Sequence, residues 1–326
     1  HTVWLVSGYN TWSSVPINAK TRYIRIQTSK KNGGKMPLEI MFYGIPLGTQ
    51  QNRTETKLAS SKTTSIDEMM GSNIFIDDYL DNSSLWSNIR DYHNWRWDCG
   101  NPTIFPNNVN AFSPSAAAGG NSWFFDEYYA RLHTLGIDNM ACIQMNVSIM
   151  DLGYKTLKET GSAHPAYANA DWQDPQSYYM HSDYMFQFAA RYGSKNVDDS
   201  LLKLKSNQTR VSGLNLVDVI ECGNENDQSW SGRTGYHLPF EAAALASADM
   251  DGHCGTMGST FGAKNADPDI GFSMHGMAGG ANIMYFRAMA FWAQFNRKDG
   301  KFPSDYINGH IYTNTAGNTQ TQTGET

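Results

Sequence analysis

Beyond about residue 70 the chain alternates short apolar runs with stretches at helical spacing, and that alternation restricts it to βαβ units around a parallel sheet. Asn73-Ile74-Phe75-Ile76 predicts a first strand, and Asn88-Ile89-Arg90-Asp91-Tyr92 a second that runs into His93-Asn94-Trp95. Met140 to Met145 predicts a third, Leu216 to Glu221 a fourth, Ile270 to Met274 a fifth and Tyr306 to Tyr312 a sixth. Helices are expected over Phe125 to Leu135, stopped by Gly136, over Tyr178 to Tyr192, stopped by Gly193, and over Ala281 to Phe295. A closed barrel of this kind needs about eight strand–helix steps. About six are legible, so the expected fold over 71–326 is an α/β barrel truncated after about strand six.

The first 45 residues have a different texture. Thr21 to Gln27 alternates apolar and polar side chains, Lys30 to Gly34 reads as a turn, and Leu38 to Tyr43 alternates again. Two or three strands bury too little apolar surface to stand alone. The segments RYIRIQ and EIMFYG resemble the closing strands of a galactose-binding-like, discoidin-type β-sandwich, and the resemblance implies that 1–45 is the C-terminal part of such a module. Residues 46–70 are polar and rich in Thr and Ser, as a linker is.

Bulk composition narrows the partner. The net charge is −6, and no run of five or six Lys/Arg supplies the cationic footprint that a phosphate backbone requires, so nucleic acid is not expected. Charged residues make up 17% and aromatic residues 13%, which leaves a surface of amides, hydroxyls and rings suited to neutral, hydroxyl-rich ligands. No apolar stretch reaches the roughly 18–20 residues that cross a bilayer, so no membrane span is expected. The start at His1 fits a product trimmed of its leader or a piece of something longer, and a secreted or extracellular location is expected. Sequons at Asn52, Asn82, Asn146 and Asn207 are candidate glycosylation sites on such a route.

Cys99, Cys142, Cys222 and Cys254 form no C-x-x-C pair and have no His at zinc-finger spacing, so neither a metal nor a cofactor is expected. Cys142 and Cys222 lie in predicted core strands. Cys99 and Cys254 lie in Gly-flanked loops and are the candidate disulfide, although four cysteines permit three pairings.

In parallel α/β barrels the chemistry sits where strands end at their C-terminal edge. Val219-Ile220-Glu221-Cys222-Gly223-Asn224-Glu225 runs an apolar strand into Asn-Glu. That arrangement resembles the retaining glycoside hydrolases of clan A, whose fold is a TIM-type (β/α)8 barrel and whose fourth strand ends in Asn-Glu. The resemblance implies that Glu225 is the general acid/base and that Asn224 binds the sugar 2-hydroxyl. It also implies a Glu nucleophile on a seventh strand, beyond the present C-terminus. A glycosidic oxygen leaves only when protonated, and a retaining enzyme holds its second carboxylate about 5–5.5 Å from the acid. Many clan members carry Trp before the Asn and Pro after the Glu, where this chain has Gly223 and Asn226.

Arg90 on strand two matches a position that supports the nucleophile in that clan, and His310 and Tyr312 on strand six match its aromatic or His contacts. His93, Asn94, Trp95 and Gln144 complete the candidate substrate-binding set, since sugar sites combine flat rings with amide and acid groups. A polysaccharide or oligosaccharide is the expected partner. A second reading is a non-catalytic carbohydrate-binding or structural protein on the same barrel, which would lack the seventh-strand carboxylate.

Overall fold

A computed structural model describes residues 16, 65–78, 85–99, 123–147, 164–166, 169–204, 208–228, 235–278 and 282–311. The chain divides into two units, 1–63 and 64–326, and apart from Pro16 every described residue belongs to the second. The expected sandwich strands of residues 1–45 and nearly all of the expected linker therefore lie outside the described residues.

Five strands form one parallel sheet: β1 (Gly71–Ile74), β2 (Asn88–Asn94), β3 (Asp138–Gln144), β4 (Val219–Asn224) and β5 (Gly271–Gly276). Their spatial order is their chain order, and all four neighbouring pairs run parallel. Adding each strand to the same edge by right-handed crossovers keeps the helices on one face, which is the build of a barrel wall rather than of a doubly wound sheet. The predicted sixth strand is reduced, among the described residues, to two isolated parallel bridges, Ser273 to Tyr306 and Met277 to Gly309. The sheet of described residues is therefore open.

Three helices follow the predicted positions with shifted ends, and two short ones, over 66–69 and 95–99, were not expected. α1 (Ile66–Met69) opens on a capping box between Ser65 and Glu68, and α2 (Trp95–Cys99) begins directly after β2. α3 (Phe125–Thr134) ends before Gly136, whose φ of +72° suits glycine. α4 (Tyr179–Tyr192) is buried at every residue from His181 to Tyr192. It packs under the sheet through Phe188 and Tyr184, each of which contributes roughly 1.5–3 kcal/mol if fully buried. α7 (Ile283–Asn296) is capped by the Asn282 side chain, which accepts from the amides of Met284 and Tyr285.

Two further helices, α5 (Pro239–Asp251) and α6 (Ala263–Ala266), fall between β4 and β5. α5 escapes a search for amphipathic spacing because it is buried nearly all round. Its Ala242, Ala243, Ala244, Ala246 and Ala248 let it approach its neighbours closely. Its C-cap is Gly252, in the left-handed conformation at φ 62°.

Candidate active site

Strand alternation sorts the residues of β2 between two environments. Asp91 and His93 point to the helix-covered side, whereas Arg90, Tyr92 and Asn94 point to the opposite, inner side. On that inner side Arg90 is 9% exposed and meets three partners. Its Nε donates to Glu221 Oε2 at 2.6 Å, and its Nη2 donates to Asn224 Oδ1 at 2.9 Å and to Cys142 Sγ at 3.1 Å. The guanidinium also lies over the Tyr92 ring, 4.7 Å from its centroid. Burial works against the Arg90 charge, but the Cys142 sulfur and the Glu221 carboxylate more than reverse that and hold its pKa above the ordinary value.

Glu221 is fully buried and collects contacts from three segments. Besides Arg90 on β2, its Oε1 accepts from the Gly276 amide at the end of β5 and from Asn308 Nδ2, both at 2.7 Å. Sequence reading placed Glu221 only as a strand end. The signal was an acid inside the apolar run Val-Ile-Glu-Cys, because a buried carboxylate needs a counter-charge and donors.

Four residues later the chain delivers Glu225. Its φ is +54°, a left-handed conformation that costs a non-glycine residue of the order of 1–3 kcal/mol, and its amide donates to the Gly276 carbonyl at 2.9 Å. One carboxylate oxygen accepts from His310 Nδ1 at 2.7 Å and the other from Gln228 Nε2. Both Glu225 and His310 are 15% exposed, which leaves the carboxyl reachable from solvent.

Two glycines make this arrangement possible. Gly223 has φ +89°, and a Cβ there would fall 2.7 Å from Asn226 Nδ2. The buried Asn226 side chain thus occupies the space that a larger residue at 223 would need. The two departures from the clan pattern, Gly223 and Asn226, are one packed pair. At Gly276 a Cβ would overlap the His310 ring, so only glycine lets that ring reach Glu225.

The structure brings Arg90, Asn224, Glu225 and His310 together, and it pairs Asn94 with Gln144 at the adjoining ends of β2 and β3, where Gln144 Nε2 donates to Asn94 Oδ1 at 2.9 Å. His93 and Trp95, expected among the substrate-facing residues, are elsewhere. His93 is fully buried on the helix side, with Nε2 2.7 Å from Asp98 Oδ2, Nδ1 2.9 Å from the Tyr129 hydroxyl and its ring 3.9 Å from that of Phe125. Trp95 opens α2 rather than extending β2, so it turns into the core and packs edge-on to His181. Tyr312, Asn52, Asn82 and Asn207 lie outside the described residues. Asn146 is 5% exposed and its Oδ1 accepts from the His164 amide, so the folded chain does not present this sequon to a glycosylating enzyme. Cys254, expected to pair with Cys99, is a free thiol, as are Cys142 and Cys222. The side chain of Cys99 lies outside the described residues.

Asp227 lies two residues beyond Glu225. It is fully buried and accepts from the Ala278 amide at 2.8 Å. The nearby His275 on β5 is also buried. Burial first, then the proximity of His310, lower its pKa to about 4 against the opposing pull of Asp227.

Two groups of metal-ligand type occur among the described residues. In the buried set His181, Cys222 and Asp249, the carboxylate already accepts from His181 Nδ1 at 2.7 Å and from the Cys222 thiol at 2.9 Å. Burial and Asp249 keep that thiol protonated well above its usual range. In the set Asp251, Cys254 and Asp299, both carboxylates are bound by Arg297.

No protein-family model and no curated protein matches this chain. Among solved structures it is similar to the protein of "Structural insights into a family 39 glycoside hydrolase from the gut symbiont Bacteroides cellulosilyticus WH2", at 14% identity and a TM-score of 0.38. The match covers 78% of this chain and 41% of that one, so the chain spans well under half of the protein it matches. Among the described residues no helix is long and apolar enough to cross a membrane.

Proposed function

We propose that this chain is part of a secreted retaining glycoside hydrolase acting on an oligosaccharide or polysaccharide, with Glu225 as general acid/base. The observation that carries the reading is the Glu225 carboxyl itself. It stands at the C-terminal end of a parallel strand, partly exposed, oriented by His310 Nδ1, and next to an Asn224 amide fixed by Arg90. A carboxyl in that setting can deliver a proton to a glycosidic oxygen and later take one from water, while Asn224 holds the sugar ring in register. Asn94 and Gln144 add amide groups at the same strand ends. The second carboxylate is supplied by chain outside the described residues.

The test is Glu225→Gln in the full-length protein, assayed by reducing-end release from a polysaccharide panel and by retention on the same polysaccharides in affinity electrophoresis. Turnover should fall by about 10²–10⁴-fold, the usual contribution of general acid–base catalysis, with retention kept. Unchanged turnover removes Glu225 from the mechanism. Retention without turnover in the unmodified protein assigns the chain to the carbohydrate-binding reading instead.

A further inference from the structure

Arg90 donates to the amide oxygen of the half-buried Asn224, whose side chain makes no other hydrogen bond among the described residues. An amide whose oxygen is taken by a guanidinium must present its NH2 group to whatever approaches. Arg90 in turn is held by Glu221 at 2.6 Å, and Glu221 is anchored independently by the Gly276 amide and by Asn308. We propose that Glu221 is a positioning residue which, through Arg90, fixes the Asn224 amide as a hydrogen-bond donor, so that the site selects ligands carrying an acceptor oxygen at that point. A sugar hydroxyl meets this demand. A deoxy position leaves the donor unpaired, and an ammonium group meets it with a second donor.

The polarity follows from the charges around the pair. Arg90 is faced by Glu221 from β4, by Cys142 from β3 and by Tyr92 from its own strand. Glu225 and Asp227 follow β4, His275 lies on β5, and His310 reaches Glu225 from the 306–311 segment. Without the Glu221 carboxylate, Arg90 loses the partner that sets its angle and turns toward another acceptor, Glu225 being one residue from Asn224. The Asn224 amide is then free to rotate, and its donor is no longer presented.

The consequence for turnover rests on the glycosidase reading, whereas the geometry does not, so two measurements separate them. The first compares kcat/KM for a 4-nitrophenyl glycoside cleaved by the unmodified protein with kcat/KM for its 2-deoxy counterpart. A site built to bond a hydroxyl discriminates against the analogue lacking it by up to about 10⁴-fold. Glu221→Gln should bring that ratio to within about tenfold, chiefly by loss on the hydroxylated substrate, since an absent hydroxyl has no donor to lose. General loosening of the fold would lower both substrates together and leave the ratio intact, and that result overturns the proposal. Glu221→Asp keeps the charge and should fold even where Glu221→Gln does not. It withdraws the carboxylate by one methylene, and the ratio should fall to an intermediate value.

The second measurement is a crystal structure of either variant. Persistence of the Arg90 to Asn224 Oδ1 bond at its present length overturns the proposal whether or not the protein has glycosidase activity. Loss of that bond with a rotated amide supports it. A protein that cleaves no glycoside at all removes the functional reading and leaves this second measurement decisive.

Discussion

The two faces of β2 differ in how they hold charge. On the inner face Arg90 and Glu221 form a direct buried ion pair, and the pair reaches outward to Asn224 at the strand ends. On the helix-covered face hydroxyls and an imidazole stand between the carboxylates of Asp91 and Asp98. Tyr129 donates to Asp91 Oδ2 at 2.9 Å, Tyr184 donates to Asp98 Oδ2 at 2.6 Å, and His93 bridges Tyr129 and Asp98. The inner-face network leads out to the strand ends. The helix-covered face uses similar residue types to tie α2, α3 and α4 to the sheet. Residue type alone therefore does not identify a site, because His93 and Asn94 are neighbours in sequence and serve opposite faces.

The largest expected effect tests the inner face. Arg90→Met leaves Glu221 buried with neutral donors only, and breaking a buried pair in this way costs about 3–5 kcal/mol. Urea unfolding should show that loss together with loss of turnover. A cost below about 1 kcal/mol would mean that the two faces do not differ as described.

A second test uses pH, because Asp91 on β2 and His275 on β5 respond to it with opposite sign. Burial raises Asp91 on the helix side to about 6, against the pull of His93 and the Tyr129 hydroxyl. Its folded value lies above its unfolded one near 3.8, so its contribution to stability is full below about pH 4 and is lost as pH rises to about 6. His275 is depressed from 6.5 to about 4, so its contribution is full above pH 6.5 and is lost as pH falls to about 4. Each shift amounts to a few kcal/mol at most. Measured against the unmodified protein, Asp91→Asn should gain relative stability as pH rises from 4 to 6. His275→Asn should gain it as pH falls from 6.5 to 4. Parallel pH profiles for the two variants would contradict the assignment.

The smallest effect sharpens the division within β2. His93→Phe keeps an aromatic ring but takes one hydrogen-bond partner each from Asp98 and Tyr129, which retain Tyr184 and Asp91, and a typical intramolecular hydrogen bond contributes about 0.5–1.5 kcal/mol. Thermal unfolding should register that cost while kcat/KM measured well below the transition stays within about twofold. A specific fall in kcat/KM with unchanged stability would return His93 to the site.

Several features of this chain were legible in its residues. Strand positions emerged from apolar runs of the right length, α3 and α4 from spacing and terminal glycines, and α7 from spacing. Glu225 and Asn224 stood out because a polar pair directly after an apolar strand must sit at that strand's end. Arg90 and His310 were singled out by the clan resemblance, on strand two and in the predicted sixth strand. These are local properties, set by side-chain period and backbone preference over a few residues.

What only the tertiary structure decided depends on contacts between residues far apart in sequence. The Glu221 partners lie on β2, β5 and the segment at Asn308, and no local pattern links them. The meaning of Gly223 and Asn226 required seeing that one side chain fills the space the other leaves. The α5 helix went unseen because full burial removes the amphipathic period, and Trp95 was misplaced because β2 gives way to a helix at that residue. Sequence fixes the period of each element, but the face that meets a ligand is set by which surface the rest of the chain covers.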